Sequence, residues 1–153
     1  MKIQFKKLHS DAKAPVKAKS GDMCYDLFSC EDVHVIRRYN NITTTESYYS
    51  TWALPVKIST GIAIGLPDGF GAKIEGRSGL ASKGIFPIGG VIDSDYCGEI
   101  KVILVSLSGT FNINKGDRIA QLKIEKIHNF EWEEVDELLQ TERGEAGFGS
   151  TGI

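Results

Sequence analysis

The chain has 153 residues and a formal net charge of −2. This length is typical of one domain with its own hydrophobic core. A charge so near zero argues against a broad surface for nucleic acid or membranes, and no apolar run resembles a signal peptide or a membrane-spanning helix.

The cysteine and histidine side chains form no recognisable metal-binding pattern. The cysteines are odd in number: Cys24, Cys30 and Cys97. The histidines are scattered along the chain: His9, His34 and His128. Structural metal sites need paired ligands at short spacings. We therefore expect no protein-caged transition metal, and free thiols in a reducing cytoplasm (the host cytoplasm for a viral chain, with the nucleus as an alternative).

Short β-strands separated by turns are predicted over most of the sequence. Alternating apolar and polar residues indicate strands within 1–8, 24–28, 33–36, 54–66, 70–75, 110–114 and 118–124, with an interruption at Gly61 and turns at 67–69 and 115–117. Together with 17 glycines and almost no period of 3.6 residues, this pattern predicts an all-β domain, either an antiparallel barrel or a sandwich. At most two short helices are expected, at 78–83 and 131–139, and the second segment could equally be extended.

The segment 37–52 breaks this rhythm, because it is polar with several aromatic residues. Such a stretch is typical of a long surface loop or an inserted hairpin. We expect residues 39–52 to form a surface insertion that could contact a protein partner or a neighbouring subunit.

The most distinctive segment is 89–105. Two glycines followed by Val91 and Ile92 predict a strand, and an acidic turn then leads into an apolar returning strand, so the segment should form a hairpin. The tip carries Asp93 and Tyr96, which place a carboxylate and a flat ring beside exposed backbone. This arrangement can hold a small polar ligand, although an ordinary solvated turn is the alternative.

Glycine-rich segments with arginine provide the second functional signal. Three of the five arginines, Arg77, Arg118 and Arg143, lie in segments with glycine and a hydroxyl or amide side chain. A guanidinium beside accessible backbone N–H groups is suited to binding phosphate. The last residues, 141–153, end in Gly-Phe-Gly-Ser-Thr-Gly, which predicts a flexible arm able to cover a base and phosphates, or else a frayed terminus. Together these segments predict a nucleotide polyphosphate as ligand.

Five segments in this order resemble the motifs of the trimeric dUTP pyrophosphatase (dUTPase) family. They lie at 22–27, 76–80, 90–99, 116–122 and 143–152. The resemblance implies a jelly-roll-like antiparallel β-barrel at 1–140, a flexible C-terminal arm at 141–153, and a homotrimer with active sites shared between subunits. It also implies Mg²⁺-dependent hydrolysis of dUTP to dUMP and pyrophosphate, which limits uracil incorporation into DNA and supplies dUMP for thymidylate synthesis. The first motif departs from the commoner family pattern, because Met23 and Cys24 stand where Ala-Gly is usual, and Gly76 replaces a frequent proline before Arg77.

The resemblance also implies roles for individual residues. Asp93 would be the general base that activates the water attacking the α-phosphorus, and Tyr96 would lie against the deoxyribose and exclude a ribose. By the same resemblance, the phosphates would be contacted by Arg77, Ser78, Gly79 and Gln121. Uracil would be contacted by the backbone of Gly90, Val91, Ile92 and Lys101. The arm would contribute Arg143, Phe148, Gly149, Ser150 and Thr151. Asp26 and Gln121 would contact Mg²⁺ through water.

Each role has an alternative. Asp26 could be a buried acid paired with Arg118, Gln121 a structural strand amide, and Tyr96 a packing residue of the hairpin. A related dCTP deaminase and a dUTPase-like regulatory binding protein are the alternative functions.

Overall fold

The computed structural model describes residues 2–35, 55–107 and 110–144. Antiparallel β-structure dominates these residues, and the predicted all-β fold class is confirmed. In chain order the strands and the helix are β1 (Gln4–Lys7), β2 (Tyr25–Phe28), β3 (Val33–Val35), β4 (Val56–Ser59), β5 (Ile62–Gly65), β6 (Phe70–Glu75), α1 (Ser78–Ala81), β7 (Ile85–Pro87), β8 (Val91–Ile92), β9 (Lys101–Ser106), β10 (Phe111–Ile113) and β11 (Arg118–Lys126).

The strands pair in four antiparallel sheets within the described residues. One sheet has the order β2-β11-β6-β8 and another β4-β9-β7, while β1 pairs with β5 and β3 with β10. The ladders are separate and do not close into one continuous barrel over these ranges. Apolar side chains on the inner faces of the sheets form one core, in which Ile58, Val102 and Leu104 have no exposed surface.

The predicted division of 54–66 at Gly61 is confirmed. Gly61 has φ +66°, and a Cβ atom there would come within 2.9 Å of the Ala12 side chain. This backbone conformation favours glycine and separates β4 from β5. The two strands then join different sheets, since β4 pairs with β9 and β5 with β1.

The predicted hairpin at 89–105 is wrong. β8 pairs with β6, whereas β9 pairs with β4 and β7, so the two strands belong to different sheets. Ile100 diverts the chain, because its N–H donates to the Ile62 carbonyl at 2.9 Å and its side chain is buried. Residues 93–99 are therefore a loop that crosses between two sheets.

One of the two expected helices is present. α1 covers Ser78–Ala81 of the predicted 78–83, but 131–139 contains neither helix nor strand. Trp132 is 99% exposed and Leu139 94%. A short helix needs an apolar face packed on a core, and this segment has no such support among the described residues. The insertion expected at 39–52 lies outside the described residues, and no helix among those described is long and apolar enough to cross a membrane.

Candidate active site

A buried carboxylate lies where three of the predicted motifs meet. Asp26 on β2 is only 5% exposed, and its register partner on β11 is Gln121. The Gln121 side-chain amide donates to Asp26 Oδ1 at 3.4 Å. Directly opposed residues of two paired strands project to the same face of the sheet, which explains this contact.

A β-bulge brings Arg118 to the same carboxylate. The register of β11 against β2 shifts between Arg118 and Ala120, so that Arg118 lies opposite Phe28. Without the extra residue, Arg118 would project to the other face from Gln121, because side chains alternate along a strand. With it, an Arg118 terminal nitrogen lies 3.2 Å from Asp26 Oδ2.

Arg77 completes this group from the end of β6. Its Nε lies 3.4 Å from Asp26 Oδ1, and a terminal nitrogen donates to the Arg118 carbonyl at 3.0 Å. Asp26, Arg77, Arg118 and Gln121 are called the arginine cluster below. Asp26 is thus a buried acid paired with Arg118, as the structural alternative predicted, with Arg77 as a second partner. The cluster carries two positive charges against one negative, and its arginine side chains are 24% and 49% exposed, so it can still attract an anion.

The second group of predicted residues surrounds a cavity of ≈ 330 Å³ beside the 93–99 loop. This loop cavity is lined by six residues that the sequence had indicated: Gly90, Val91, Ile92, Asp93, Tyr96 and Lys101. The sequence reasoning missed five further lining residues: Lys57, Ile74, Glu99, Ile100 and Ile103. The cavity has the size and the mixed polar and apolar lining of a small-ligand site.

Gly90 forms part of the cavity wall because no side chain fits there. Its φ is +101°, and a Cβ atom would lie 2.7 Å from the Ile74 Cβ atom. The Gly90 carbonyl accepts a hydrogen bond from the Ile74 N–H at 2.8 Å. This close approach fixes the backbone of Gly90 at the edge of the cavity.

The Tyr96 ring is held against its own loop. Its hydroxyl donates to the Glu99 carbonyl at 2.9 Å, and a Cβ atom on Gly98 would come within 2.6 Å of that hydroxyl oxygen. The Tyr96 N–H donates to the Asp93 carbonyl at 3.2 Å, which closes a tight turn. Asp93 is exposed and Tyr96 46% exposed, so a carboxylate and an aromatic face are both open to a ligand.

Glu99 anchors the end of this loop through its side chain. Oε1 accepts a short hydrogen bond from the Ser59 hydroxyl and another from the Gly61 N–H at 3.0 Å, while Oε2 lies 3.1 Å from the Lys101 ammonium. Partial burial raises the pKa of the carboxyl, but these hydrogen bonds and the Lys101 charge outweigh burial and lower the pKa overall. The sequence signal that could have pointed to this role was an acid two residues before Lys101, a spacing at which side chains of an extended chain project to the same side.

Asp93 in the loop cavity and Arg77 in the arginine cluster lie at the levels of opposite ends of β6 in the same chain. The register Ala72↔Ile92 places Asp93 near Gly71, whereas Arg77 follows the other end of the strand. Six residues of extended chain separate these levels by about 20 Å. Arg77 also points across β11 towards β2, away from β8. One chain therefore does not bring Asp93 and Arg77 together.

The predicted residues of the arm are only partly described. Arg143 is exposed, and Ser78 and Gly79 are exposed beside Arg77. Phe148, Gly149, Ser150 and Thr151 lie outside the described residues. A separate cavity of ≈ 210 Å³ between Phe5, Tyr25 and Ile124 has no charged side chain in its lining, so it offers nothing to a triphosphate.

Comparisons with known proteins agree on one family. A dUTPase family model matches residues 10–152. The chain is 45% identical to the deoxyuridine 5'-triphosphate nucleotidohydrolase of Hydrogenobaculum sp. (strain Y04AAS1), with 100% of this chain and 99% of that protein covered. It is 40% identical to the enzyme of the same name from Monkeypox virus, covering 99% of this chain and 91% of the viral protein. The structure is similar to the dUTPase of Staphylococcus bacteriophage 80alpha with dUPNHPP, at TM-score 0.80, 29% identity and 99% of each chain covered.

Asp26→Asn tests the arginine cluster. The substitution keeps the shape of the side chain but removes the charge that holds two guanidinium groups, so it should lower the free energy of unfolding by about 2 kcal/mol. Urea denaturation at one protein concentration measures this. Asp11→Asn is the matched control, because its pair with Lys115 is exposed and should contribute much less to the free energy of unfolding. Equal losses in the two variants would contradict the anchoring role of Asp26.

Glu99→Gln tests the lowered pKa of Glu99. A carboxyl whose pKa is lower in the folded than in the unfolded protein stabilises the fold above its ordinary value of 4.5, and this contribution disappears as the pH falls through the folded value. The unfolding free energy of the unmodified protein should therefore fall more steeply below pH 4.5 than that of Glu99→Gln. Identical pH profiles from denaturant titrations would contradict the assignment.

Proposed function

The chain belongs to the dUTPase family, and we propose that the loop cavity and the arginine cluster are two halves of its active site. The reaction is the hydrolysis of dUTP. The products we assign are dUMP and pyrophosphate. The observation that carries the proposal is the loop cavity itself, in which a carboxylate, an aromatic ring and glycine backbone predicted for one nucleotide line a single space. No observation favours the dCTP deaminase alternative.

Each site is proposed to be shared between subunits. Members of this family are generally trimeric, and a homotrimer is supported here by the separation of about 20 Å between the levels of Asp93 and Arg77 along β6. It is also supported by the exposed apolar side chains of Phe130, Trp132 and Leu139 in the segment that follows β11. Exposed apolar groups of this size usually contact a partner. A neighbouring subunit would supply that partner and bring its arginine cluster to the loop cavity.

Asp93 is the proposed general base. Its exposed carboxylate would accept a proton from a water molecule while the water oxygen attacks the α-phosphorus, and the bond from that phosphorus to the β-phosphate bridging oxygen would break in line. A positioned base contributes roughly 10²–10⁴-fold to such a reaction. The pyrophosphate leaves with the electrons of the broken bond. Charge on the phosphate oxygens would be stabilised by Arg77.

Base and sugar selection is proposed to lie in the loop cavity. The backbone of Gly90, Val91 and Ile92, with the backbone near Lys101, would form hydrogen bonds with uracil and leave no room for the methyl group of thymine. Tyr96 would lie against the deoxyribose, where a 2′-hydroxyl would collide with the ring. Selection against a competitor by collision is effective because the ring is already held in place.

Phosphate binding is proposed for the neighbouring subunit and the arm. Arg77, Ser78 and Gly79 would contact the phosphates, and Gln121 the α-phosphate. The arm would contribute Arg143, Phe148, Gly149, Ser150 and Thr151, with the Phe148 ring on the uracil and the others at the γ-phosphate. Closure of such an arm would exclude water from the reacting groups.

The dUTPase family generally uses Mg²⁺, and the site residues fit an ion that arrives with the triphosphate. The described residues contain no group of three His, Cys, Asp or Glu side chains that could hold a metal ion by themselves. Both Asp26 oxygens face guanidinium or amide nitrogens. Mg²⁺ commonly keeps several waters and binds substrate phosphates, so Asp26 and Gln121 would contact it through water. Bound there, it would neutralise phosphate charge.

The physiological role is proposed from the reaction. Removal of dUTP would limit uracil incorporation into DNA, and dUMP would be the precursor for thymidylate synthesis. We propose a cytoplasmic location in agreement with the free thiols of Cys24, Cys30 and Cys97. Contact of residues 39–52 with a protein partner, and a regulatory role of that kind, stay predictions.

Pyrophosphate release from each nucleotide tests the proposal. With Mg²⁺ present, the protein should cleave dUTP in strong preference to dTTP, dCTP and UTP. Asp93→Ala should bind dUPNHPP as tightly as the unmodified protein but lose roughly 10²–10⁴-fold in kcat, because only the base is removed. Asp95→Ala is the control, since it removes an exposed acid of the same loop and should leave kcat unchanged. Equal cleavage of all four nucleotides, or full activity of Asp93→Ala, would contradict the proposal.

A further inference from the structure

The position of the Tyr96 ring depends on the backbone of the two residues before β9. The Tyr96 hydroxyl donates to the Glu99 carbonyl at 2.9 Å, and the ring passes so close to Gly98 that a Cβ atom there would lie 2.7 Å from the ring carbon bearing the hydroxyl. Nothing larger than hydrogen fits between ring and backbone. Any movement of this stretch of backbone therefore moves the ring.

The backbone at Glu99 is in turn held by its own side chain. Three donors from β4, the β4–β5 connection and β9 bind the carboxylate: the Ser59 hydroxyl, the Gly61 N–H and the Lys101 ammonium. The Cys30 sulfur lies 3.0 Å from the Ser59 oxygen. Because the single Ser59 hydroxyl hydrogen is given to Glu99, the Cys30 thiol is the donor in that contact and keeps the hydroxyl pointed at the carboxylate.

The donors themselves cannot easily move. Gly61 lies between the side chains of Ala12, His9 and Cys30, which a Cβ atom at position 61 would approach to 2.9, 3.0 and 3.2 Å. The Ser59 N–H donates to Glu31 Oε1 at 2.6 Å. The carboxylate of Glu99 is therefore bound to a part of the domain that packing has already fixed.

We propose that Glu99 is a positioning residue that holds Tyr96 in place and thereby sets the discrimination between deoxyribose and ribose nucleotides. The proposal rests on the proposed function, in which Tyr96 lies against the sugar. Glu99 lines the loop cavity, where a bare carboxylate would repel a triphosphate, but its oxygens are occupied by Ser59, Gly61 and Lys101. Its effect on the substrate passes through the backbone carbonyl that receives the Tyr96 hydroxyl.

The test compares kcat/KM for dUTP with kcat/KM for UTP. Glu99→Ala loses all three side-chain hydrogen bonds, and the ratio of the two constants should fall roughly tenfold, mainly because cleavage of UTP rises. Glu99→Gln keeps an oxygen that can accept from Ser59 and Gly61, so it should restore the ratio to within about threefold. Asp11→Ala, which breaks an exposed pair with Lys115, is the control and should leave the ratio unchanged.

A second variant keeps the test valid if Glu99→Ala does not fold. Ser59→Ala removes one donor and leaves Gly61 and Lys101 in place, so the protein should fold and the ratio should fall by a smaller factor than in Glu99→Ala. An unchanged ratio in Ser59→Ala and in folded Glu99→Ala contradicts the inference while the proposed function stands. An unmodified protein that shows no preference for dUTP over UTP contradicts both.

Gly98→Ala separates the ring from its anchor. The three atoms nearest to the new methyl group belong to the hydroxyl end of the Tyr96 ring, and φ of Gly98 lies outside the left-handed region, so the fold should survive while the ring is displaced. Since Glu99→Ala would act through the same ring, the double variant should lose no more discrimination than the stronger single variant. If the loss of discrimination in the double variant equals the product of the losses in the two single variants, Glu99 acts by another route and the inference is contradicted.

Discussion

The buried carboxylate of Asp26 is the contact on which the organisation of this domain depends. A charged group that is 5% exposed must be paired, and here it is paired with Arg118 and the Gln121 amide from β11 and with Arg77 after β6. The bulge in β11 lies between Arg118 and Ala120, and it turns the Arg118 side chain towards this carboxylate. The Arg77 side chain is held by the same carboxylate, so one acid orients two of the arginines that the sequence indicated for phosphate binding.

The loop cavity is built by a different kind of constraint. Its ring and its backbone are placed by contacts too close for any residue except glycine at Gly90 and Gly98, and by the hydrogen bonds of Glu99. Close packing of Gly90 against Ile74 fixes one side of the cavity, and the hydrogen bonds and ion pair of Glu99 fix the other. Because Asp93 and Arg77 of one chain lie at the levels of opposite ends of β6, the proposed site needs the cavity of one subunit and the arginine cluster of another. In the proposed site, assembly of subunits would bring these two surfaces together.

The sequence allowed much of this to be predicted, because alternation and turn residues are local signals. The strand 70–75 was confirmed at both ends, and residues 90–93, Tyr96 and Lys101 do surround one cavity. What failed depended on distant partners. The hairpin at 89–105 was wrong because β8 and β9 each find better neighbours elsewhere in the chain, and the helix at 131–139 was wrong because no core supports it. Glu99 was missed because Ser59 and Gly61 are 40 and 38 residues away in sequence.

Mixed oligomers test the central claim, that each active site takes its general base, Asp93, from one subunit and its arginine cluster from another. Asp93→Ala and Arg77→Gln should each be nearly inactive towards dUTP. When equal amounts are denatured and refolded together, random assembly places an intact Asp93 against an intact Arg77 at about one site in four, so the mixture should regain roughly a quarter of the unmodified activity. A mixture as inactive as its two components would contradict a shared site and would require Asp93 and Arg77 of one chain to act together.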